Sequence, residues 1–122
     1  VESRVEPGIS VRGEKFLLHH ALANLVDNAI RFSPAGGSVV VSASKEGTMA
    51  RISVTDQGPG IPDYASGKIF DRFYSLPDPA SGKKGTGLGL PFVKEAAALH
   101  GGSASVANSP EGGVVATLII PL

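Results

Sequence analysis

Two asparagines one helical turn apart, Asn24 and Asn28, are the first residues whose types and spacing could do chemistry. On a helix they lie with Arg31 within about 60° of one another and roughly 130° from the apolar stripe, so the three side chains share one polar edge. Asparagine is unfavourable inside a helix because its amide competes for backbone hydrogen bonds. The edge is therefore either an ordinary solvated face or a pair of hard amide oxygens for a Mg²⁺ that keeps water and phosphate as its other ligands.

Asp56 is the second candidate, because it continues the alternating apolar face of Ile52 and Val54 at the end of a predicted strand. A carboxylate carried to the apolar side needs a donor, since an unpartnered buried charge is costly. The donor is either a backbone N–H, with Asp56 forming a turn or a helix cap, or the amine of a ligand. The glycines that follow, Gly58 and Gly60, fit both interpretations because both require tight turns.

A glycine-rich turn with two lysines, from Lys83 to Leu90, directly precedes a second helical pattern. The free N–H groups of a helix N-terminus and nearby ammonium groups both attract phosphate. The spacing G-x-G-x-G after a polar loop differs from the dinucleotide-binding pattern, and the Walker and protein-kinase signatures are absent from the sequence. The segment therefore predicts a phosphate site of another type.

The periodicity of hydrophobic residues predicts the helices, strands and loop that position these candidate residues. Segment 75–87, with three glycines, two prolines and few apolar residues, predicts a mobile lid whose near end is anchored by Phe70 and Phe73. Helices and hairpins in mixed order favour an α+β two-layer sandwich. Helical spacing predicts helices at 14–32, 68–74 and 88–100, and alternation predicts strands at 38–44, 49–56, 104–108 and 114–120, with one or two short edge strands in 1–11.

Composition limits the chain to one domain and excludes several classes of function. The 122 residues are 42% hydrophobic, and 11 basic against 11 acidic residues give no net charge, which argues against nucleic acid or a membrane surface as partner. There is no cysteine, and the three histidines lack the spacing of a zinc site. No apolar run approaches the roughly 20 residues of a membrane span. A chain that opens at Val1 is expected to be part of a longer parent.

Four motifs in order resemble the ATP-binding catalytic domain of bacterial sensor histidine kinases, in the superfamily that includes gyrase, Hsp90 and MutL. They are an asparagine box at 24–32, a first glycine box at 56–61, a phenylalanine box at 69–73 and a second glycine box at 85–90. Within this family, residues 62–64 and 73–77 are similar to the CreC subgroup. The resemblance covers essentially the whole chain, so 1–122 is expected to be a single catalytic domain.

The resemblance implies a Bergerat fold, a mixed β-sheet covered on one face by about three α-helices, with ATP between helices and lid. It implies Asn28 as a Mg²⁺ ligand, with Asn24 supporting the metal or touching phosphate, and Asp56 as acceptor for the adenine amino group. The further implied contacts are Phe32 and Ile61 to the base, Gly58 and Gly60 in the turn, Arg31 and Lys84 to phosphates, the amides of Gly85, Thr86, Gly87, Leu88, Gly89 and Leu90 as a phosphate cap, and Thr117 to adenine.

The residue at position 24 bears on the reaction. In the gyrase and Hsp90 branches the matching residue is a glutamate that activates water, whereas the amide of Asn24 cannot act as a base. The resemblance therefore implies transfer of the γ-phosphate to a histidine on a separate dimerisation domain, with a response regulator further downstream. The 122 residues contain no phosphoacceptor box, and none of His19, His20 and His100 is assigned a catalytic role.

Two other functions remain open at this point. One is an ATPase or ATP-gated switch of the same fold, and the other is a catalytically silent interaction module. The intact Asn28, Asp56 and glycine boxes argue against the silent module. The resemblance further implies a cytoplasmic domain whose parent is anchored in the bacterial inner membrane.

Overall fold

Five strands and two helices make up the part of the chain that the computed structural model describes, which is residues 2–5, 8, 11, 13–33, 37–65, 67–72, 88–110 and 112–122. Their bounds lie within two residues of the predicted ones for both helices and for the strands of the two hairpins. In chain order they are β1 (Glu2–Val5), α1 (Lys15–Phe32), β2 (Val40–Glu46), β3 (Met49–Thr55), α2 (Gly89–Leu99), β4 (Ser103–Asn108) and β5 (Val114–Pro121).

The strands form one sheet in the order β1-β2-β3-β5-β4. The first strand lies parallel to β2 at one edge, and the other neighbours are antiparallel, so the predicted mixed sheet is confirmed. Two hairpins, β2–β3 and β4–β5, supply four of the five strands. Because β3 and β5 pair at the centre, the turn after β3 lies beside the start of β5.

Both helices pack on the same face of the sheet and enclose the core. The first helix buries Ala21, Leu25 and Ala29, which follow the predicted helical spacing. Small residues on the helices allow a close approach to the branched side chains of the central strands. This arrangement confirms the α+β two-layer sandwich. The rest of the buried cluster is formed by Val39, Val54, Val93, Ala96, Ala97, Ala116, Leu118 and Ile120.

His100 joins the beginning of α1 to the end of α2. Its Nδ1 donates to the carbonyl oxygen of Ala96 at 2.7 Å, and its Nε2 accepts from the backbone N–H of Glu14 at 2.9 Å. The Glu14 side chain in turn caps α1 by accepting from the N–H of Leu17 at 2.6 Å. The two helices therefore run antiparallel and are fixed to each other at this end.

The expected third helix at 68–74 is wrong over the residues that the structure describes there. Residues 67–72 form turns, in which the N–H of Lys68 bonds to Ala65 and that of Asp71 bonds to Lys68. These hydrogen bonds join residues three positions apart, so they form single turns that bury Ala65 and Ile69 without making an α-helix. The segment is too short to offset the free-energy cost of helix nucleation. Phe70 is half-buried. Phe73, Tyr74 and the expected lid at 75–87 lie outside the described residues.

Candidate functional site

The polar edge of α1 faces the start of α2. Asn24 and Asn28 are both half-buried, and the Asn24 Nδ2 donates to the carbonyl oxygen of Gly89 at 3.4 Å. This bond uses the nitrogen end of the Asn24 amide and leaves its oxygen as the acceptor end. The structure therefore brings the asparagine box and the second glycine box together, and the edge is not a freely solvated face.

The first turn of α2 provides backbone N–H groups that have no intrahelical partner, and they lie beside these amides. Leu88 occupies the N-cap position, and its side chain has no oxygen with which to cap the helix. The N–H groups of Gly89 and Leu90 lie in the first turn, where no intrahelical carbonyl reaches them. Such a terminus favours an anion. Lys84, Gly85, Thr86 and Gly87 lie outside the described residues, so their expected phosphate contacts stay a prediction.

The other end of α1 contacts the first glycine box. A β-carbon on Gly58 would overlap the carbonyl oxygen of Phe32, so only glycine lets the turn lie this close to the helix end. The N–H of Gln57 also bonds to the hydroxyl of Ser33 at 3.4 Å. The guanidinium carbon of Arg31 lies 5.4 Å from the centre of the Phe32 ring. The structure thus brings Phe32 against Gly58. The expected contact of Arg31 with phosphate stays a prediction.

Asp56 is buried, with 6% of its surface exposed, at the end of β3. Its Oδ1 accepts from the N–H of Gly58 at 2.9 Å and from the N–H of Val114 at 3.1 Å. The bond to Gly58 is an Asx-turn, so the turn-forming interpretation is correct for one carboxylate oxygen. Because both bonds end on Oδ1, the Oδ2 atom is the one with which Asp56 could accept from a ligand amine.

Asn108 is a residue of this region that the sequence reasoning missed. At the end of β4 its side chain accepts from the N–H of Ile61 at 2.7 Å and donates to the carbonyl of Ile61 at 3.0 Å. An asparagine two residues before a proline is usually a turn residue, whereas the partner of Asn108 is 47 positions away. Predicting this contact requires the strand order and register that place the end of β4 beside the first glycine box.

The structure does not bring Thr117 to this site, which corrects the expected adenine contact. In the sheet, Thr117 pairs with Ser53 on β3 and with Ser105 on β4. The preceding residue, Ala116, pairs with Val54 on the face that packs against the helices. Since side chains alternate along a strand, Thr117 points to the opposite face from Asp56. Together with Ser42, these residues form a row of hydroxyl side chains across four strands.

The site therefore has two ends joined by α1. One end holds Asn24 against Gly89, and the other holds Phe32 against Gly58 and Asp56. Eight residues of helix separate them by about 12 Å, with Asn28 halfway. Among the described residues no group of three His, Cys, Asp or Glu could hold a metal. The amide oxygens fit Mg²⁺, which accepts few protein ligands when phosphate oxygens and water complete its shell.

The chain belongs to the family described as histidine kinase-, DNA gyrase B- and HSP90-like ATPase, whose pattern matches residues 13–122. The match includes both helices, four of the five strands and all four sequence motifs. The Bergerat fold that the motifs implied is thereby confirmed.

Curated and solved relatives are sensor histidine kinases. The sensor protein CreC of Escherichia coli is 49% identical over 110 residues, which are 90% of this chain and 23% of that protein. The solved mycobacterial kinase MprB superposes with a TM-score of 0.84 at 34% identity over 98% of this chain and 79% of that one. A structure of full-length ShkA with AMPPNP gives 0.80 at 29% identity, over 98% of this chain and 25% of that one. The chain thus spans less than a quarter of CreC.

Proposed function

We propose that this chain binds Mg-ATP and donates the γ-phosphate to a histidine on a separate helical domain of a sensor kinase. The observation that carries the proposal is that α1 connects the two halves of one site. Asn24 at its middle touches the second glycine box, and Phe32 at its end touches the first. The likeness to ShkA, which was solved with AMPPNP, supports a nucleotide as the ligand.

The base would bind at the Asp56 end. The two backbone bonds to Oδ1 hold the carboxylate in one orientation, and Oδ2 would accept from the exocyclic amine of adenine. A buried acceptor selects for adenine over guanine, because guanine presents a carbonyl oxygen at the matching position and would leave the carboxylate without a donor. The half-buried side chains of Phe32 and Ile61 would contact the ring.

The phosphates would bind at the Asn24 end. The first-turn N–H groups of α2 give its N-terminus a partial positive charge that attracts phosphate. The Asn24 amide donates to the carbonyl oxygen of Gly89 in the same turn. Mg²⁺ would be held by Asn28, with Asn24 as a second ligand or a phosphate contact, and it would neutralise the charge of the phosphate oxygens.

Position 24 favours transfer over hydrolysis. An amide cannot remove a proton from water, so the site can orient the triphosphate and neutralise its charge but supplies no base for attack by water. In the transfer, an imidazole nitrogen of the phosphoacceptor attacks the γ-phosphorus, a P–N bond forms, the bond to the β,γ-bridging oxygen breaks, and ADP leaves. A response regulator would receive the phosphate next.

The proposed setting is a cytoplasmic domain of a kinase whose parent chain is anchored in the bacterial inner membrane. Among the described residues, no helix is long and apolar enough to cross a membrane.

Mixing the chain with the helical phosphoacceptor domain of its parent and γ-labelled ATP tests the proposal. We expect label on the acceptor histidine that is stable to alkali and labile to acid, and no label on an acceptor whose histidine is replaced by glutamine. ATP hydrolysis without labelling of the acceptor would support the ATPase alternative instead. ATP binding with neither activity would support a silent module.

A further inference from the structure

Asn108 holds both polar groups of the Ile61 main chain. Its Oδ1 accepts the N–H at 2.7 Å, and its Nδ2 donates to the carbonyl at 3.0 Å. Two bonds from one planar amide fix the position and the tilt of a peptide, as pairing with a neighbouring strand does. The far end of the first glycine box is therefore attached to the last residue of β4.

Gly60 and Asn108 are matched to each other. Gly60 has φ of +87°, and a β-carbon there would lie 2.9 Å from the Asn108 Oδ1. Any other side chain at position 60 would be strained in this conformation and would also displace the amide that binds Ile61. The glycine of the box therefore has a specific partner outside the box.

The near end of the box is attached to the same hairpin. The N–H of Asp56 bonds to the carbonyl of Val114 at 2.9 Å, and the N–H of Val114 bonds to the Asp56 Oδ1 at 3.1 Å. The hairpin itself is closed by a bond from the N–H of Ser109 to Gly113 at 2.9 Å. One hairpin, β4–β5, thus holds residues 56–61 at both ends.

We infer that Asn108 is a positioning residue for the nucleotide base. It acts through Ile61 and Gly60 by fixing the loop between the carboxylate of Asp56 and the apolar contact of Ile61. The inference rests on the proposed function. Since the side-chain hydrogen bonds described for Asn108 both end on Ile61, loss of the side chain weakens binding of the base and leaves the Mg²⁺-dependent part of phosphate binding unchanged.

Titration of Asn108→Ala and Asn108→Asp with ADP and with a non-hydrolysable ATP analogue tests this inference. Asn108→Ala is expected to raise Kd about tenfold for both nucleotides. Asn108→Asp keeps the acceptor but turns a carboxylate oxygen toward the Ile61 carbonyl, so its Kd rises at least as much. Ser105→Ala is the matched control, because Ser105 is exposed on the same strand and faces the other side of the sheet.

Two further readouts separate positioning from general support of the fold. The ratio of the analogue's Kd without and with Mg²⁺ stays at the wild-type value in Asn108→Ala, and the thermal midpoint without nucleotide stays within about 5 °C of Ser105→Ala. Asn108 is exposed, so its truncation leaves no buried cavity. In a double-mutant cycle, Gly60→Ala raises Kd by a smaller factor in the Asn108→Ala background than in wild type, because the amide it would displace is gone.

A Kd within twofold of wild type for Asn108→Ala overturns the inference, and so does a larger fall in the midpoint or a changed Mg²⁺ ratio. The inference and the proposed function fail in different ways. If wild type binds no nucleotide, the proposed function is wrong, whereas tight binding by both wild type and Asn108→Ala removes only the role of Asn108.

Discussion

Asp56 and Thr117 are the buried polar residues among those that the structure describes, and the surroundings of the two differ. Asp56 lies on the helix side of the sheet, at the end of β3, with two backbone donors on one oxygen. Thr117 lies on the opposite side in a row of hydroxyls. Burial alone therefore does not distinguish a candidate site residue. The face of the sheet on which the residue lies distinguishes Asp56 from Thr117.

Asp56→Asn is expected to raise the Kd of ATP analogues about tenfold to a hundredfold while the fold is retained. The asparagine oxygen can keep both backbone bonds, but its nitrogen replaces the acceptor offered to adenine, and a bond to a charged group is worth about 1.5–3 kcal/mol. Isothermal titration of both proteins measures the change. Asp71→Asn, an exposed turn residue, controls for lost charge. Equal affinity of Asp56→Asn and wild type would leave Asp56 as a turn-forming residue only.

Asn28→Ala is expected to remove most of the gain in nucleotide affinity that Mg²⁺ provides. The Kd measured with Mg²⁺ should rise about tenfold, which corresponds to about 1.4 kcal/mol. The amide oxygen halfway between the two ends of the site is lost, whereas the contacts of the base end are unchanged. Titrations with Mg²⁺ and with excess chelator give the ratio directly.

Asp27→Ala is the matched control for Asn28→Ala, since Asp27 is the exposed neighbour on the same helix. A Mg²⁺ effect in Asn28→Ala as large as in the control would show that Asn28 is not a ligand.

At the scale of elements, α1 connects the site to the fold. Its apolar stripe packs on the sheet, its polar edge meets α2, and its two ends are held by His100 and by the first glycine box. A shift of α1 along its axis would change both halves of the site together. This explains why the helix carries an N-cap, an aromatic end and two interior asparagines.

His100→Ala is expected to lower the free energy of unfolding by about 1–2 kcal/mol, because the Glu14 N–H and the Ala96 carbonyl both lose their partner. Nucleotide affinity should remain within twofold, since Glu14 lies about 15 Å along α1 from Asn24. Urea unfolding and calorimetric titration give the two quantities.

His19→Ala, an exposed position on α1, controls for the removal of an imidazole. If His100→Ala unfolds at the same urea concentration as His19→Ala, the contact between the helix ends contributes nothing to stability.

The elements that sequence could predict are those with a long hydrophobic period. The helix at 15–32 and the two hairpins follow from spacing, because burial on one face repeats over several turns or residue pairs. Helical spacing predicts a helix at 68–74, whereas residues 67–72 form turns, because a few apolar residues in a short segment do not distinguish a helix from successive turns. The contact from Asn108 to Ile61 spans 47 positions and depends on the order of the strands, which no local pattern contains.

The site residues divide in the same way. Asn24, Asn28, Asp56 and Gly58 are candidates from the sequence because their types are unfavourable or unusual where they stand. The resemblance implies Thr117 as a site residue, but a shift of one residue along a strand moves a side chain to the other face of the sheet. Its register with Ser53 decides the matter.

At the scale of the whole molecule, one sheet and the helices on one of its faces place the proposed nucleotide site at the edge between the layers. In this proposal, loops that follow strands form the base end, and a helix N-terminus forms the phosphate end. A ligand that binds only the folded state stabilises that state, and the gain depends on the ratio of free ligand concentration to Kd. The gain is about 2.7 kcal/mol when the ligand concentration is a hundred times Kd. Saturating Mg-ATP analogue should therefore raise the thermal midpoint.

Calorimetric titration of the chain with a non-hydrolysable ATP analogue, with and without Mg²⁺, tests the central claim most directly. One binding site per chain, with a lower Kd in the presence of Mg²⁺, is the predicted result. No binding at millimolar analogue in a folded sample would contradict the claim and leave the four motifs as parts of a scaffold.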